Sequence, residues 1–365
     1  MIERKERNNG IDFLRILAMI AVVTLHVLNF GGLLNNAVPL TSNYEVAWFL
    51  ETVCYCAVDV YVLITGFVYA GRKTSGAKLL VLWLTVLFYS ALIPIVLYII
   101  GYAIPKVILI SSFFPIMRRR YWFFNAYFAL FLFIPTCNVI ANRKETLIKT
   151  LLIAFVLFSV ASTLSVDIDL FHTNGGSSFL WFLNLYLCGA YIRIYGLPKW
   201  LSVKNAAIVF LVCILLMFGV NNLILLVSNR ILGRYLTWIF YSYASPLFYI
   251  GAICVVAVFS RLEIKSDSTK RVIQFVSPLT FGVYLIHENP QFRQFFIKDA
   301  FLPYLDKPAW LMLCCVLGTV LVIFILCCLI DCFRVCVFKK LKIGTIAERI
   351  TEKLSCVTKS IGVKM

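Results

Sequence analysis

Long apolar runs separated by short polar segments make up most of the chain. Each run is long enough, or nearly so, for a helix to cross the roughly 30 Å hydrocarbon core of a bilayer. Ten runs can be counted, at about 11–30, 46–70, 79–100, 121–140, 150–166, 177–192, 205–227, 235–259, 272–288 and 309–333. The pattern predicts an all-α integral membrane protein with about ten transmembrane helices.

Lysine and arginine indicate the orientation of these predicted helices. With an even number of spans, both termini lie on the same side of the membrane. The segments on that side hold 24 Lys and Arg residues, whereas those on the opposite side hold 9. Because positive charge is retained on the cytoplasmic side, both termini are predicted to be cytoplasmic.

The composition supports a membrane protein and argues against other classes. The 365 residues are 62% hydrophobic and only 14% charged, which excludes an ordinary soluble domain. The formal net charge of +17 is spread over short loops beside apolar runs, so we interpret it as topogenic charge and expect no nucleic-acid partner. Most of the 13 cysteines lie within apolar runs, where cysteine behaves as a small hydrophobe, and no metal site is predicted.

The first apolar run holds Asp12, Arg15 and His26, which are residues that membrane helices rarely carry outside functional sites. Arg15 and His26 are eleven positions apart. On a helix they share one face at a separation of roughly 16 Å. Asp12 lies three positions before Arg15 and joins that face. The spacing predicts a polar seam from Arg15 near the cytoplasmic end to His26 near the outer surface. A structural ion pair with a satisfied histidine is the alternative.

Two acids in the second run are candidates to orient His26. Glu51 enters this run from outside at the predicted depth of His26, and Asp59 lies two to three turns deeper. The depth favours Glu51. A basic turn follows this run on the cytoplasmic side and contains Arg72, Lys73 and Lys78. The turn suits a cytosolic phosphate, although ordinary positive-inside charge explains it as well.

The third loop departs from the charge rule. An apolar stretch from Val107 to Met117 is too short to span, and the predicted outer segment Arg118-Arg119-Arg120 follows it. Three adjacent arginines there would suit binding of lipid phosphates or of an anionic substrate. Alternatively, the topology of this loop differs from the predicted one. Trp122 begins the next apolar run in an aromatic cluster typical of a membrane interface.

The last third of the chain contains two proline-interrupted runs and a charged tail. Pro246 is predicted to kink the eighth span. The ninth span ends with Tyr284, His287 and Glu288 at the outer surface, where the last two are expected to be hydrated. Residues 339–365 are predicted to form a cytosolic amphipathic tail, with a helix from Ile343 to Leu354, after a transmembrane domain of residues 1–338.

Four stretches in this order resemble the membrane acyltransferase-3 family, whose members transfer acyl groups onto bacterial surface polysaccharides and related acceptors. The first is Ile11 to Arg15 followed by His26, which matches a signature of arginine, ten residues and histidine. The other stretches are Val58 to Phe67, Trp122 to Asn138 and Phe281 to His287. Each motif alone is weak, but the ordered set covers almost the whole chain.

The resemblance implies a bacterial cytoplasmic (inner) membrane O-acyltransferase that uses cytosolic acetyl-CoA as a co-substrate, with no permanently bound cofactor. The acceptor would be a hydroxyl of an extracytoplasmic polysaccharide or its lipid-linked precursor. His26 would act as general base or as nucleophile. Arg15 would hold donor phosphate or the developing oxyanion, with Asp12 neutralising and orienting it. A homo-oligomer is compatible with this assignment.

The family also suggests roles for the remaining candidates. Asp59 belongs to the second-helix motif, which favours it as the partner of His26. Arg72, Lys73 and Lys78 would contact the donor phosphates. The outer acceptor site would draw on Tyr284 and His287, together with Trp122 and the arginines Arg118, Arg119 and Arg120.

Two departures from the family pattern concern the donor side. Thr65-Gly66 stands where the family usually has Ser-Gly, which keeps a hydroxyl. Many members carry an Arg-x-x-Arg pair after the second helix, but this chain has only Arg72-Lys73 and later Lys78. The contacts to the donor phosphates are therefore left open by the sequence.

Other functions would also place charges in membrane helices. A transporter or flippase for a glycan or small molecule is the main alternative, in which the seam from Arg15 to His26 is structural or related to transport. Transporters often show inverted repeats with paired broken helices. Pro94 and Pro246 interrupt two runs, but the halves of the chain do not match. An acyltransferase is therefore the preferred interpretation of the sequence.

Overall fold

The computed structural model describes residues 7–166 and 168–360, and these residues form helices and connecting turns with no β-strand. Within them, seven helices are long and apolar enough to cross a membrane. The prediction of an all-α, multi-pass membrane protein is therefore confirmed. The α-helices up to residue 164 are α1 (Asn9–Phe30), α2 (Leu33–Asn36), α3 (Ser42–Cys54), α4 (Ala57–Tyr69), α5 (Gly76–Ile99), α6 (Lys106–Ser111), α7 (Trp122–Ala141), α8 (Lys144–Ala154) and α9 (Ser162–Leu164).

The second part of the chain continues this helical architecture. Its α-helices are α10 (Phe179–Tyr195), α11 (Val203–Leu232), α12 (Pro246–Ser260), α13 (Asp267–Val276), α14 (Thr280–His287), α15 (Pro290–Phe292), α16 (Ala309–Lys340) and α17 (Ile343–Ser360). A π-helical stretch, Phe155–Ala161, joins α8 to α9 into one apolar segment. Below, "inner" denotes the predicted cytoplasmic end of each helix, where α1 begins, and "outer" denotes the end of α1 at Phe30.

Three predicted spans are interrupted in the structure. The second divides into α3 and α4 around Tyr55 and Cys56. The eighth was placed too early, because residues 233–245 are not helical and Pro246 occupies the first turn of α12. A proline fits there because its missing N–H would have no partner in a first turn, so the predicted kink at Pro246 is wrong. The ninth divides into α13 and α14 at a short 3₁₀ turn containing Pro278.

Helix α1 lies at the centre of the bundle and contacts α3, α4, α12, α14 and α16. Its apolar side chains, such as Leu14, Val23 and Val27, are buried. By contrast, α11 and α16 expose leucine and isoleucine side chains along much of their length, which is the pattern expected of helices that face lipid. The polar residues of α1 therefore face protein rather than the outside of the bundle.

Two glycines bring the backbones of α4 and α10 into direct contact. A Cβ atom at Gly66 would lie 2.1 Å from the carbonyl oxygen of Tyr186, and one at Gly189 would lie 2.1 Å from that of Leu63. Only glycine permits helices to approach this closely. The Thr65-Gly66 motif thus has a packing role, and it fixes the position of α10 against α4.

The tail forms the predicted amphipathic helix, which begins at Ile343 and extends to Ser360. It packs against α5 near Gly76, whose Cβ would lie 3.3 Å from a side-chain carbon of Thr351. Ala347 is fully buried, whereas Ile346 and Ile350 are exposed. The assignment of this helix to the cytosolic membrane surface stays a prediction.

Candidate active site

The two predicted histidines meet at the outer ends of α1 and α14. The Nδ1 atom of His26 lies 2.9 Å from Nε2 of His287. It also lies 3.1 Å from Oε2 of Glu288. His287 is 0% exposed and Glu288 is 4% exposed. The sequence-based expectation that these two residues are hydrated at a helix end is therefore wrong, because α14 ends inside the protein against α1.

The hydrogen bonds of His287 define which nitrogen of each ring carries a proton. Nδ1 of His287 lies 2.6 Å from the carbonyl oxygen of Val283. A carbonyl only accepts, so this Nδ1 carries the hydrogen and Nε2 of a neutral His287 is an acceptor. Consequently the Nδ1–H of His26 donates to His287, and Nε2 of His26 is left with a free lone pair. That nitrogen can accept a proton or attack an electrophile.

Arg293 completes the group of residues around His26. Its Nη1 donates to Oε1 of Glu288 at 2.8 Å, and its guanidinium carbon lies 4.1 Å from the centre of the Phe30 ring. The Glu288 carboxylate is thereby fixed from one side and faces His26 from the other. We name His26, His287, Glu288 and Arg293 the histidine cluster. Sequence reasoning missed Glu288 and Arg293 as functional candidates, although the position of Glu288 directly after His287 was a usable signal.

A cavity lies beside His26 within the bundle. It lies between α1, α4, α7 and α14. Its lining is almost entirely apolar and aromatic. The lining residues are Met19, Val22, His26, Val58, Tyr61, Trp122, Phe123, Phe281 and Tyr284. Because Met19 is two turns before His26 on α1, the cavity follows α1 from the outer histidine toward the inner side.

The inner end of the seam is built by Asp12, Arg15 and Ser277. Nη1 of Arg15 donates to Oδ1 of Asp12 and to the hydroxyl of Ser277, both at 3.1 Å. Asp12 also accepts a hydrogen bond from Arg7. The predicted contact between Asp12 and Arg15 is present, and Ser277 at the break between α13 and α14 is an addition.

Tyr61 links this inner end to the cavity. Its hydroxyl donates to the backbone carbonyl of Arg15 at 2.9 Å, and its ring is part of the cavity wall. Since α1 is unbroken between Arg15 and His26, the two side chains start from backbone positions roughly 16 Å apart. Both roles predicted for Arg15, contact with donor phosphate and contact with the oxyanion, stay predictions.

Glu51 and Asp59 do not orient His26 in the structure. Oδ1 of Asp59 instead accepts a hydrogen bond from the indole N–H of Trp181 at 3.0 Å. Within the described residues, Oδ2 of Asp59 and Oε2 of Glu51 have no hydrogen-bond partner although both residues are buried. The prediction that an acidic residue lies beside His26 is correct, but this residue is Glu288, directly after α14, and not Glu51 on α3 or Asp59 on α4.

The three arginines of the third loop have different environments. Arg118 and Arg119 are exposed, whereas Arg120 is half-buried and donates to the side-chain oxygen of Gln291. Burial lowers the pKa of Arg120 from its ordinary value. The apolar stretch before them forms the short α6 and a series of turns. Only Arg120 thus contacts the segment that follows the histidine cluster.

The adjoining Tyr121 fixes the start of α7 to the end of α14. Its hydroxyl donates to the carbonyl of Leu285 at 3.1 Å and accepts from the amide of Asn289 at 3.0 Å. This arrangement positions Trp122 and Phe123 as cavity walls. The predicted Trp122 and Tyr284 are therefore brought to His26, and Tyr284 is buried with its ring 6.3 Å from that of His287.

The basic turn lies at the inner end of α4. Arg72, Lys73 and Lys78 are all exposed. Asn138 on α7 holds the turn by accepting from the N–H of Gly71 at 3.2 Å and donating to the carbonyls of Tyr69 and Arg72 at 3.2 and 3.1 Å. Asn138, the last residue of the motif that begins at Trp122, therefore fixes the turn that carries Arg72.

The fold and the site define a multi-pass membrane protein with a buried histidine cluster inside its helical bundle. The family model described as an acyltransferase domain, the acyltransferase-3 model, matches residues 8–328. The chain therefore belongs to the acyltransferase-3 family, which supports membrane acyltransferase activity. Comparisons with curated proteins and with solved structures gave no match.

Proposed function

We propose that the protein transfers an acetyl or other short acyl group from cytosolic acyl-CoA to a hydroxyl of an extracytoplasmic glycan or its lipid-linked precursor. The observation that carries the proposal is the arrangement of the histidine cluster. Its hydrogen bonds leave Nε2 of His26 free, and the His26 side chain lines an apolar cavity that reaches inward along α1 as far as Met19. A site of this kind serves proton transfer during acyl transfer.

In the proposed reaction, Nε2 of His26 takes the proton of the acceptor hydroxyl while the hydroxyl oxygen attacks the thioester carbonyl. The C–S bond then breaks, and the thiolate of coenzyme A takes the proton from the His26 imidazolium. The products are an ester and free coenzyme A. The Glu288 carboxylate stabilises the transient imidazolium from 3.1 Å, and Arg293 keeps that carboxylate in place.

The donor would reach His26 from the inner side. Coenzyme A carries several phosphates at one end and its thioester at the end of a long, flexible arm. Arg72, Lys73 and Lys78 would receive the phosphates, and the apolar cavity would receive the arm and the acyl group. Arg15 would contact the donor near the cavity entrance. The acceptor would approach from the outer side, past Trp122, Tyr284, His287 and the arginines of the third loop.

The surroundings would be those of an inner bacterial membrane with an extracytoplasmic polysaccharide as the acyl acceptor. This part of the proposal rests on the family alone. No resident cofactor is needed, because the acyl donor supplies the activated group. Lipid surrounds the bundle, and a homo-oligomer is compatible with the mechanism.

The direct test uses purified protein in liposomes with radiolabelled acetyl-CoA and an isolated surface glycan. His26→Asn removes the basic nitrogen but keeps a polar side chain, and we expect label transfer to fall about 10²- to 10⁴-fold. His172→Asn is the matched control, because this exposed loop histidine has a positive φ of 53° that asparagine also adopts. Transfer that survives in His26→Asn would contradict the role of His26. Absence of transfer in the wild type with every acceptor tried, together with passage of a glycan across the bilayer, would favour the transporter.

A further inference from the structure

A second arginine, which sequence reasoning did not single out, lies on the same inner end of the bundle as Arg72. Arg193 is on the last turn of α10. Its guanidinium carbon lies 4.9 Å from the centre of the Phe67 ring on α4, five positions before Arg72. Arg193 thus comes from α10 and Arg72 from the turn that follows α4.

The backbone contact between α4 and α10 brings these two segments together. Gly189 lies one turn before Arg193 and packs against the backbone of Leu63 and Phe67. Gly66 lies directly before Phe67 and packs against the backbone of Tyr186. These close contacts fix the backbone of α10 against α4, and the Arg193 side chain lies over Phe67.

The turn carrying Arg72 is equally restrained. Asn138 uses both its amide group and its carbonyl oxygen on residues Tyr69 to Arg72, as described above. The hydroxyl of Tyr186, on α10, also donates to the Asn138 oxygen at 2.9 Å. One buried asparagine thereby connects the Arg72 turn to the helix that carries Arg193.

The charges of this pair are uncompensated. Among the residues that the structure describes, neither Arg72 nor Arg193 forms an ion pair with a carboxylate. Holding two like charges together is unfavourable unless an anion binds between them. Tyr69 lies within the electrostatic range of both Arg72 and Arg15, so the pair adjoins the entrance to the seam.

We propose that Arg72, on the turn after α4, and Arg193, on α10, form a clamp for the phosphate groups of the acyl-CoA donor. Guanidinium groups match phosphate oxygens in geometry, and two of them from separate segments suit a diphosphate better than a single basic turn does. The clamp supplies from α10 the second arginine that the loop after α4 lacks. This inference rests on the proposed function, because it names the donor-binding residues of the same site.

The test measures the affinity of the full-length protein for coenzyme A, dephospho-coenzyme A and pantetheine in phosphatidylcholine nanodiscs. We expect Arg193→Ala to weaken coenzyme A binding about 10- to 100-fold and to leave pantetheine binding unchanged. Arg193→Lys should recover part of the affinity, because lysine retains the charge but not the planar fork. Arg271→Ala is the control, since this exposed arginine lies on α13 away from the clamp.

Several outcomes would overturn the clamp. Unchanged coenzyme A affinity in Arg193→Ala would do so, as would equal weakening of pantetheine and coenzyme A. A lipid headgroup is the other source of phosphate. In nanodiscs that contain phosphatidylglycerol, loss of bound phosphatidylglycerol in Arg193→Ala without loss of coenzyme A affinity would mean that the two arginines bind a lipid headgroup and not the donor. If the wild type bound no coenzyme A and transferred no acyl group, the proposed function would fail and the clamp with it. Failure of Arg193→Ala alone would leave the proposed function standing.

Discussion

The two ends of helix α1 place ionisable side chains against the same neighbouring segment, but they balance charge differently. At the outer end, the carboxylate of Glu288 faces Arg293 on one side and His26 on the other, at 2.8 and 3.1 Å. At the inner end, the carboxylate of Asp12 is shared by Arg7 and Arg15. The outer group is thus nearly neutral, whereas the inner group has an excess of positive charge.

This difference indicates different tasks. At the outer end, the Glu288 carboxylate lies 3.1 Å from His26 and can offset the positive charge that His26 gains with a proton. An excess of positive charge near an exposed basic turn favours an anionic ligand. The outer end therefore suits the chemical step, and the inner end suits binding of a phosphate-bearing donor. Substitutions at the two ends should consequently separate turnover from donor affinity.

Of the substitutions at the two ends of α1, we expect the larger effect on activity from replacing Glu288. Glu288→Gln keeps the shape of the side chain but removes the charge that stabilises the His26 imidazolium. We expect kcat to fall about 10- to 100-fold, with the KM for acyl-CoA unchanged, because a hydrogen bond to a charged group contributes about 1.5–3 kcal/mol. Steady-state kinetics in liposomes measure both constants. Glu263→Gln, at an exposed loop position, is the control. An unchanged kcat would contradict a role of Glu288 in the chemical step.

The smaller effect concerns Arg15. We expect Arg15→Ala to raise the KM for acyl-CoA about tenfold while kcat changes little, because in the proposed function Arg15 would contact the donor away from the reacting carbonyl. The same assay with varied donor concentration gives this result. Lys270→Ala removes another cation on the predicted inner side, from an exposed ion pair with Asp267, and should change neither constant. A fall in kcat at constant KM would instead assign Arg15 to the transition state.

Much of the fold could be predicted from the sequence because lipid imposes strong constraints. Long apolar runs predicted the helices, and only the spans with internal breaks were misplaced. The breaks at Tyr55 and Pro278, and the non-helical segment before Pro246, depend on how neighbouring helices satisfy the backbone, which a single sequence does not reveal. Helical spacing also predicted that Asp12, Arg15 and His26 share a face, because they belong to one helix.

The partners of these residues were harder to predict. His26 is oriented by His287 and Glu288, which are distant in the sequence and meet it through the packing of α14 against α1. Arg193 resembled ordinary positive-inside charge until the contact of Gly66 and Gly189 placed it on the same inner end of the bundle as Arg72. Contacts between separate helices depend on three-dimensional packing, so residues within one helix were the more reliable part of the sequence analysis.

The central claim is that one site joins a donor on the inner side to an acceptor at the outer side. Its most direct measurement uses proteoliposomes of defined protein orientation, with radiolabelled acyl-CoA and glycan acceptor each confined to one side. The account predicts label transfer only when the donor is on the side of Arg72 and Arg193 and the acceptor is on the side of His26. Equal transfer with both substrates on the same side, or with the sides exchanged, would contradict it.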